Sequence, residues 1–106
     1  MTQMELLQAL KSIGLPVAYN SFASAVSPPF ITYHFAYSND MIADNQNFFE
    51  ISNFQVELYT SIKDLANEKK LQDKLKELGL PYSKIETWID EEKMFQNLYE
   101  IQIAGG

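Results

Sequence analysis

At 106 residues and 46% hydrophobic content, with seven Phe, six Tyr and one Trp, the chain has the size of one domain and enough apolar mass for a core, which argues against disorder. It contains no Cys, which excludes disulfides and thiolate metal sites. The net charge is −6 and all eight cations are Lys; without Arg, the favoured bidentate partner of phosphate and guanine, an acidic domain is a poor candidate for gripping nucleic acid.

The first predicted element is a helix over Thr2 to Ile13. Thr2 and Glu5 match a T-x-x-E capping box, and Leu6, Leu10 and Ile13 form an apolar stripe that Leu7 widens. Gly14-Leu15-Pro16 stops it. Val17 to Pro29 reads as a loop with a short strand at Val17 to Tyr19, closed by Pro28-Pro29 as a stiff extended step. Phe30 to Tyr37 is a strand, with Ile31, Tyr33, Phe35 and Tyr37 on one face and Thr32, His34 and Ala36 on the other. Ser38 to Asn47, rich in Asn and Asp, reads as the connection of a long hairpin.

One long strand, Phe48 to Thr60, follows. Phe49 and Ile51 are odd-numbered, whereas Phe54, Val56 and Leu58 are even, so a bulge or bend is expected at Ser52-Asn53. The second helix spans Asp64 to Leu78, with Leu65, Leu71, Leu75 and Leu78 as its buried stripe and Ser61 or Asp64 as its cap. Gly79-Leu80-Pro81 ends it as Gly14-Leu15-Pro16 ends the first, an echo that reads as shared helix punctuation rather than duplication. Tyr82 to Ile89 and Met94 to Ile103 form a second hairpin with an acidic tip at Asp90-Glu91-Glu92. The order α-β-β-α-β-β predicts an α+β domain: one mainly antiparallel sheet of about four strands with two helices packed on it.

No chemical signature stands out. His34 is the single histidine, has no nucleophile motif nearby and reads as structural. Asp40 and Asp44, with Asn39 and Asn45, lack the ligand density and Gly turn of a calcium loop. Asp90, Glu91 and Glu92 read as a solvated turn. No catalytic, cofactor or metal residues are assigned. Aromatic residues are abundant, and a sheet with one helix layer buries only one face well. Tyr37, Tyr59 and Trp88 are therefore expected on the other face or rim, where exposed aromatics favour a protein interface.

The combination Leu15-Pro16-Val17-Ala18-Tyr19, Pro28-Pro29-Phe30-Ile31-Thr32-Tyr33, Asp44-Asn45, Phe54-Gln55-Val56-Glu57-Leu58-Tyr59-Thr60, Lys63-Asp64 and Tyr99-Glu100-Ile101 resembles small proteins of tailed phages and prophages of Gram-positive bacteria. These are encoded in the head–tail joining region and described as tail completion or tail terminator proteins. The likeness runs from about Leu7 to Ile103; its motifs are short, and their order carries it. It implies an α+β subunit that forms a ring, usually a hexamer, on the end of the tail tube and presents a surface to the head connector. It also implies that DNA passes through the centre without specific binding. Partners would be other copies of the chain, the tail tube protein and the connector, in the host cytoplasm and then the virion. The expected interface residues are Tyr37, Asp40, Met41, Asp44, Tyr59, Trp88, Glu91 and Glu92.

The resemblance leaves open a neighbouring role as another head–tail connector or minor capsid protein of a prophage, and two other classes compete. One is a small metal-dependent hydrolase using Asp40, Asp44 or Asp90 to Glu92; the other is an adaptor binding a peptide at an open sheet edge. No apolar run approaches the ~18 residues of a membrane span. The N-terminus lacks the basic region of a signal peptide, which leads to the expectation of an intracellular protein.

Overall fold

The computed structural model describes residues 1–43 and 45–104. Its elements are α1 (Gln3–Lys11), β1 (Val17–Tyr19), β2 (Phe30–Ser38), β3 (Met41–Ala43), β4 (Gln46–Phe49), β5 (Ile51–Thr60), α2 (Leu65–Glu77), β6 (Ser83–Ile89) and β7 (Met94–Ala104). The main sheet has the order β1-β2-β5-β7-β6. β1 is parallel to β2, and the other pairings are antiparallel. The class is α+β; the sheet has five strands rather than about four, because three-residue β1 joins as an edge.

The helix ends follow from their capping residues. Thr2 Oγ1 accepts from Glu5 N at 3.1 Å, and Glu5 Oε1 accepts from Thr2 N at 3.0 Å. Asp64 Oδ1 accepts from Asn67 N at 3.1 Å and caps α2. Gly79, at φ +72°, closes α2 in a Schellman turn: Leu80 N donates to Leu75 O at 2.9 Å and Gly79 N to Lys76 O at 3.0 Å.

Three expectations need correction. The buried stripe of α2 is Glu68, Leu71 and Leu75, whereas Leu65 is 70% exposed. Leu65 opens the helix, and its Cα–Cβ bond tilts towards the N-terminus, away from the layer below. Secondly, no bulge occurs at Ser52-Asn53, for β5 pairs with β7 without a break from Ile51–Ala104 to Thr60–Phe95. β5 keeps its alternation throughout, so Ile51 lies on the face opposite Phe54, Val56 and Leu58; the irregularity falls on the facing strand, where Ala36 is the extra residue between the pairs Phe35–Phe54 and Tyr37–Asn53. Tyr37 therefore leaves the face of Ile31, Tyr33 and Phe35. Thirdly, the Ser38–Asn47 connection is not a bare loop. β3 and β4 pair in it as a separate two-stranded sheet, with Ile42 opposite Asn47 and Ala43 opposite Gln46.

Laterally paired residues share a sheet face. One face carries Ile31, Tyr33, Phe54, Val56, Leu58, Tyr99, Ile101 and Ile103; with Leu6 and Leu10 of α1 and Leu71 and Leu75 of α2 these make the core. The opposite face carries Thr32, His34, Tyr37, Glu57, Tyr59, Gln96 and Leu98 and has no helix over it. The molecule measures 50 × 28 × 25 Å. A ten-residue strand such as β5 accounts for about 33 Å of that length.

Candidate functional site

The helix-free face is the candidate site, and a polar cluster lies at its centre. Register places His34, Glu57, Tyr59 and Gln96 on adjoining positions of β2, β5 and β7. Glu57 is only 8% exposed despite lying on the face without helices. His34 Nδ1 is 3.1 Å from Glu57 Oε1. Tyr59 donates to Glu57 Oε2 at 2.7 Å, and Gln96 Nε2 donates both to that oxygen and to the Tyr59 hydroxyl. Burial, and then the bond to Glu57, push the Tyr59 hydroxyl up to about 12. Oε2 accepts from Tyr59 and Gln96, whereas Oε1 faces His34 Nδ1, a buried nitrogen without a hydrogen bond among the described residues. The Glu57–Tyr59–Gln96 bonds tie β5 to β7 across the face.

Above this cluster, towards the end of the sheet where β5 finishes and β6 turns into β7, the face hollows into a cleft of about 670 Å³. Phe30, Tyr59, Ile89 and Met94 form its floor, and the 20–26 loop and Glu92 its walls. Phe30 stacks on Tyr59 at 4.9 Å between ring centroids, and Phe22 meets Phe30 edge-on at 5.4 Å. The loop thus folds over the helix-free side.

The predicted interface residues are scattered over the molecule. Tyr37 is 59% and Trp88 44% exposed, but they lie on opposite faces. Trp88 packs edge-on against Phe95 on the helix side, and its Nε1 reaches Asp90 Oδ1 at 3.4 Å. Tyr59 is half-buried in the cluster just described. Asp40 Oδ1 accepts from Ile51 N at 3.0 Å and so ties the base of the β3–β4 arm to β5. Met41 lies on β3, opposite Phe49. Asp44 lies outside the described residues. Glu91 and Glu92 are exposed at the β6–β7 tip, where Lys93, 2.9 Å from Asp90, and then the Trp88 bond hold the Asp90 carboxyl below its usual range.

Charge is concentrated on the opposite side as well. Glu68 is 2% exposed and lies between Lys63 Nζ, at 2.7 Å from Oε2, and Lys84 Nζ, at 2.5 Å from Oε1. Burial would raise its carboxyl, but the two lysines outweigh burial and hold it low. Lys84 also donates to Gln72, which accepts from the Tyr99 hydroxyl at 2.9 Å. Lys63 reaches Glu86 on β6 at 2.5 Å. The network fastens the start of α2 to the sheet edge. Sequence reading missed Glu57, Gln96 and Glu68, since only strand register and helix phase reveal that Glu57 and Glu68 are buried and that Gln96 meets Glu57.

Among the described residues no group of three or more His, Asp or Glu side chains is placed to hold a metal ion. Among the same described residues no helix is long and apolar enough to cross a membrane. No family model matches the sequence. No curated protein is significantly similar to it either. Seven solved chains match in fold. One of them, whose designation describes no activity, superposes with a TM-score of 0.56 at 16% identity, over 96% of this chain and 94% of its own. The fold thus recurs as a whole domain. The protein is an α+β domain with one helix-covered face, one open aromatic and polar face, and projections at both ends of its sheet.

Proposed function

We propose that the chain is a virion structural protein: a tail terminator subunit that forms a ring, expected to be a hexamer, at the head-proximal end of a phage tail and joins it to the head. The observation that carries this reading is the placement of the two hairpins. The β3–β4 arm leaves the sheet where β5 begins, beside Ala104, and the Asp90–Lys93 tip lies where β5 ends, beside Phe95. A subunit seated between two structures needs contacts at two opposite ends, and this one has a projection at each. The arm would meet one partner, the tail tube or the connector, and the acidic tip the other. The body between them would pack against its neighbours. Net charge −6 suits a ring through which DNA must slide, because lumen carboxylates repel phosphates. The order of the short motifs from Leu15 to Ile101 supports the same assignment.

A second reading, an adaptor that binds an extended peptide, draws on β6. This strand ends the sheet, and six of its seven residues are exposed.

The test uses tail tubes of the encoding phage assembled without a terminator. Purified protein should bind one end of each tube in electron micrographs and allow filled heads to join. A variant lacking residues 40–49 should fold, yet leave the tubes unjoined. Tubes capped and joined normally by that variant would remove the arm from the account. Absence of end binding by the intact protein would remove the terminator assignment.

A further inference from the structure

The main sheet is incompletely closed along one side. β5 pairs with β7 from Thr60–Phe95 to Ile51–Ala104, but β6 covers β7 only from Met94 to Glu100. Beyond the pair Ser83–Glu100, β7 runs on through Ile101, Gln102, Ile103 and Ala104 with no strand on its β6 side among the described residues. The neighbouring ladders fix where its backbone groups point. Ile31 N donates to Pro16 O and Asn20 N to Tyr33 O, so Ile31 and Tyr33 face β1, and Thr32 and His34 face β5. Carried through the register, Gln55 and Glu57 face β2, Ser52 and Phe54 face β7, and Ile101 and Ile103 face β5. The bond from Asn39 N to Ile51 O, on the β2 side, agrees. Gln102 and Ala104 therefore direct their N–H and C=O groups outwards, in the line of β6, where no backbone hydrogen bond reaches them among the described residues.

The chain's own continuation cannot fill this slot. Extending the Ser83–Glu100 register sets Pro81 opposite Gln102, and Pro has no N–H to give. Leu80 N is already bound to Leu75 O in the turn that ends α2. The 79–82 connection instead walls a cleft of about 440 Å³ at this edge, shared with Tyr37, Glu100 and Gln102. The stretch Ile101–Ala104 carries no Pro, Lys or bulge to keep another strand away, whereas β6 carries Lys84 and Glu86. Glu100 is exposed and makes no ion pair among the described residues, and no Lys is among the described residues that line the cleft.

We infer that this edge is a docking site for an extended segment of a partner protein, which adds to β7 as a strand in the line of β6 and places a Lys or Arg opposite Gln102. Two outward N–H and two outward C=O groups, alternating along an extended backbone, are matched by another extended backbone. Laterally paired residues share a face, so the residue opposite Gln102 points into the cleft beside Glu100, where a cation meets the unpaired carboxylate. Its two neighbours lie on the helix side, where Leu80 and Tyr82 pack against the core, and are therefore apolar. The chain's own arm, residues 40–49, contains no Lys, so a second copy does not supply this segment. The site is separate from the outer edge of β6 and does not rest on ring closure. It lies at the arm end of the sheet and specifies what a partner seated there presents.

The test is an NMR titration of the isotope-labelled full chain with the acetylated and amidated peptide Thr-Val-Lys-Val-Thr. In the free protein the amides of Gln102 and Ala104 should exchange with solvent fast, and those of Ile101 and Ile103 slowly. Added peptide should shift and protect Gln102 and Ala104 saturably. Glu in place of the central Lys should weaken binding by about tenfold or more. N-methylation of the central Lys amide, which removes one backbone donor and keeps every side chain, should weaken it by about fivefold or more. Gln102→Pro removes an outward N–H and leaves the β5 ladder intact, so this variant should fold and lose binding. Should it fail to fold, the N-methylated peptide puts the same question to the native chain. Equal binding of the N-methylated or the Glu peptide would overturn the inference. So would shifts confined to Lys84, Glu86 and Trp88, which would move docking to the outer edge of β6. Absence of any shift at about 10 mM peptide would also overturn it. A chain that caps tail tubes yet binds no peptide would lose this site alone.

Discussion

Replacing Glu68 by Gln probes the least expected feature of the fold, a buried carboxylate on a helix stripe that looked leucine-rich. Glu68 has a side chain only 3% exposed, with Lys63 Nζ at 2.7 Å and Lys84 Nζ at 2.5 Å. Each hydrogen bond to a charged group is worth about 1.5–3 kcal/mol. Two effects reduce the sum. The lysines, 44% and 31% exposed, can turn to water when the carboxylate is lost. The amide also avoids the desolvation that a buried carboxylate suffers. The expected loss is about 2–3 kcal/mol, on the order of 10 °C in Tm for a domain of this size. Urea unfolding followed by circular dichroism should show a lower midpoint at unchanged slope. The pH dependence supplies a second check. The lysines hold the folded-state carboxyl of Glu68 below its usual range, so its contribution is present above that range and disappears as pH falls through the lowered value. Native and Glu68→Gln proteins should converge in stability in acid. A difference under about 0.5 kcal/mol at neutral pH, or one that persists unchanged in acid, would refute the buried ion-pair account.

Further expectations follow from the same packing. Leu75→Ala, at a site with no exposure, should cost about 2–5 kcal/mol, whereas Leu65→Ala, 70% exposed, should stay within about 0.5 kcal/mol; reversed values would sink the helix register. The hydroxyl of Tyr59 is raised from 10 to about 12, so its contribution is complete below pH 10 and is lost as pH climbs through about 12. Tyr59→Phe should remove that part of the alkaline destabilisation, and an unchanged alkaline profile would show the Glu57 cluster to be unimportant. Ala at His34, Asp40 and Asp44 should abolish no catalytic turnover; metal-dependent hydrolysis lost in the Asp40/Asp44 double variant would reassign the protein as an enzyme.

Local signals carried most of the architecture. Thr2 with Glu5, Asp64, Gly79 and the alternation of Phe54, Val56 and Leu58 each act within a few residues, and the elements they imply are present. Readings that depended on a partner strand went astray. The apolar phase shift between Ile51 and Phe54 is no irregularity of β5, for Ile51 lies on the other face of a regular strand; the extra residue sits on β2 at Ala36, where only the register with β5 reveals it. That extra residue turns Tyr37 onto the other face. Glu68 and Leu65 exchanged roles because helix periodicity does not say where the sheet beneath ends. The cleft was invisible for a related reason: its walls come from the 20–26 loop and from Glu92, far apart in the chain and joined only by the β2–β5–β7–β6 ordering. The exposed Trp88 was legible as a rim aromatic, though on the face opposite to Tyr37.

The central claim is that the chain works by closing into a ring, and sedimentation of the full-length protein tests it most directly. Measured from micromolar concentration upwards, the mass should pass from monomer to one discrete oligomer, a hexamer by expectation, without a continuous series of larger species. A protein that remains monomeric at about 1 mM, or that grows without limit into filaments, would contradict the account.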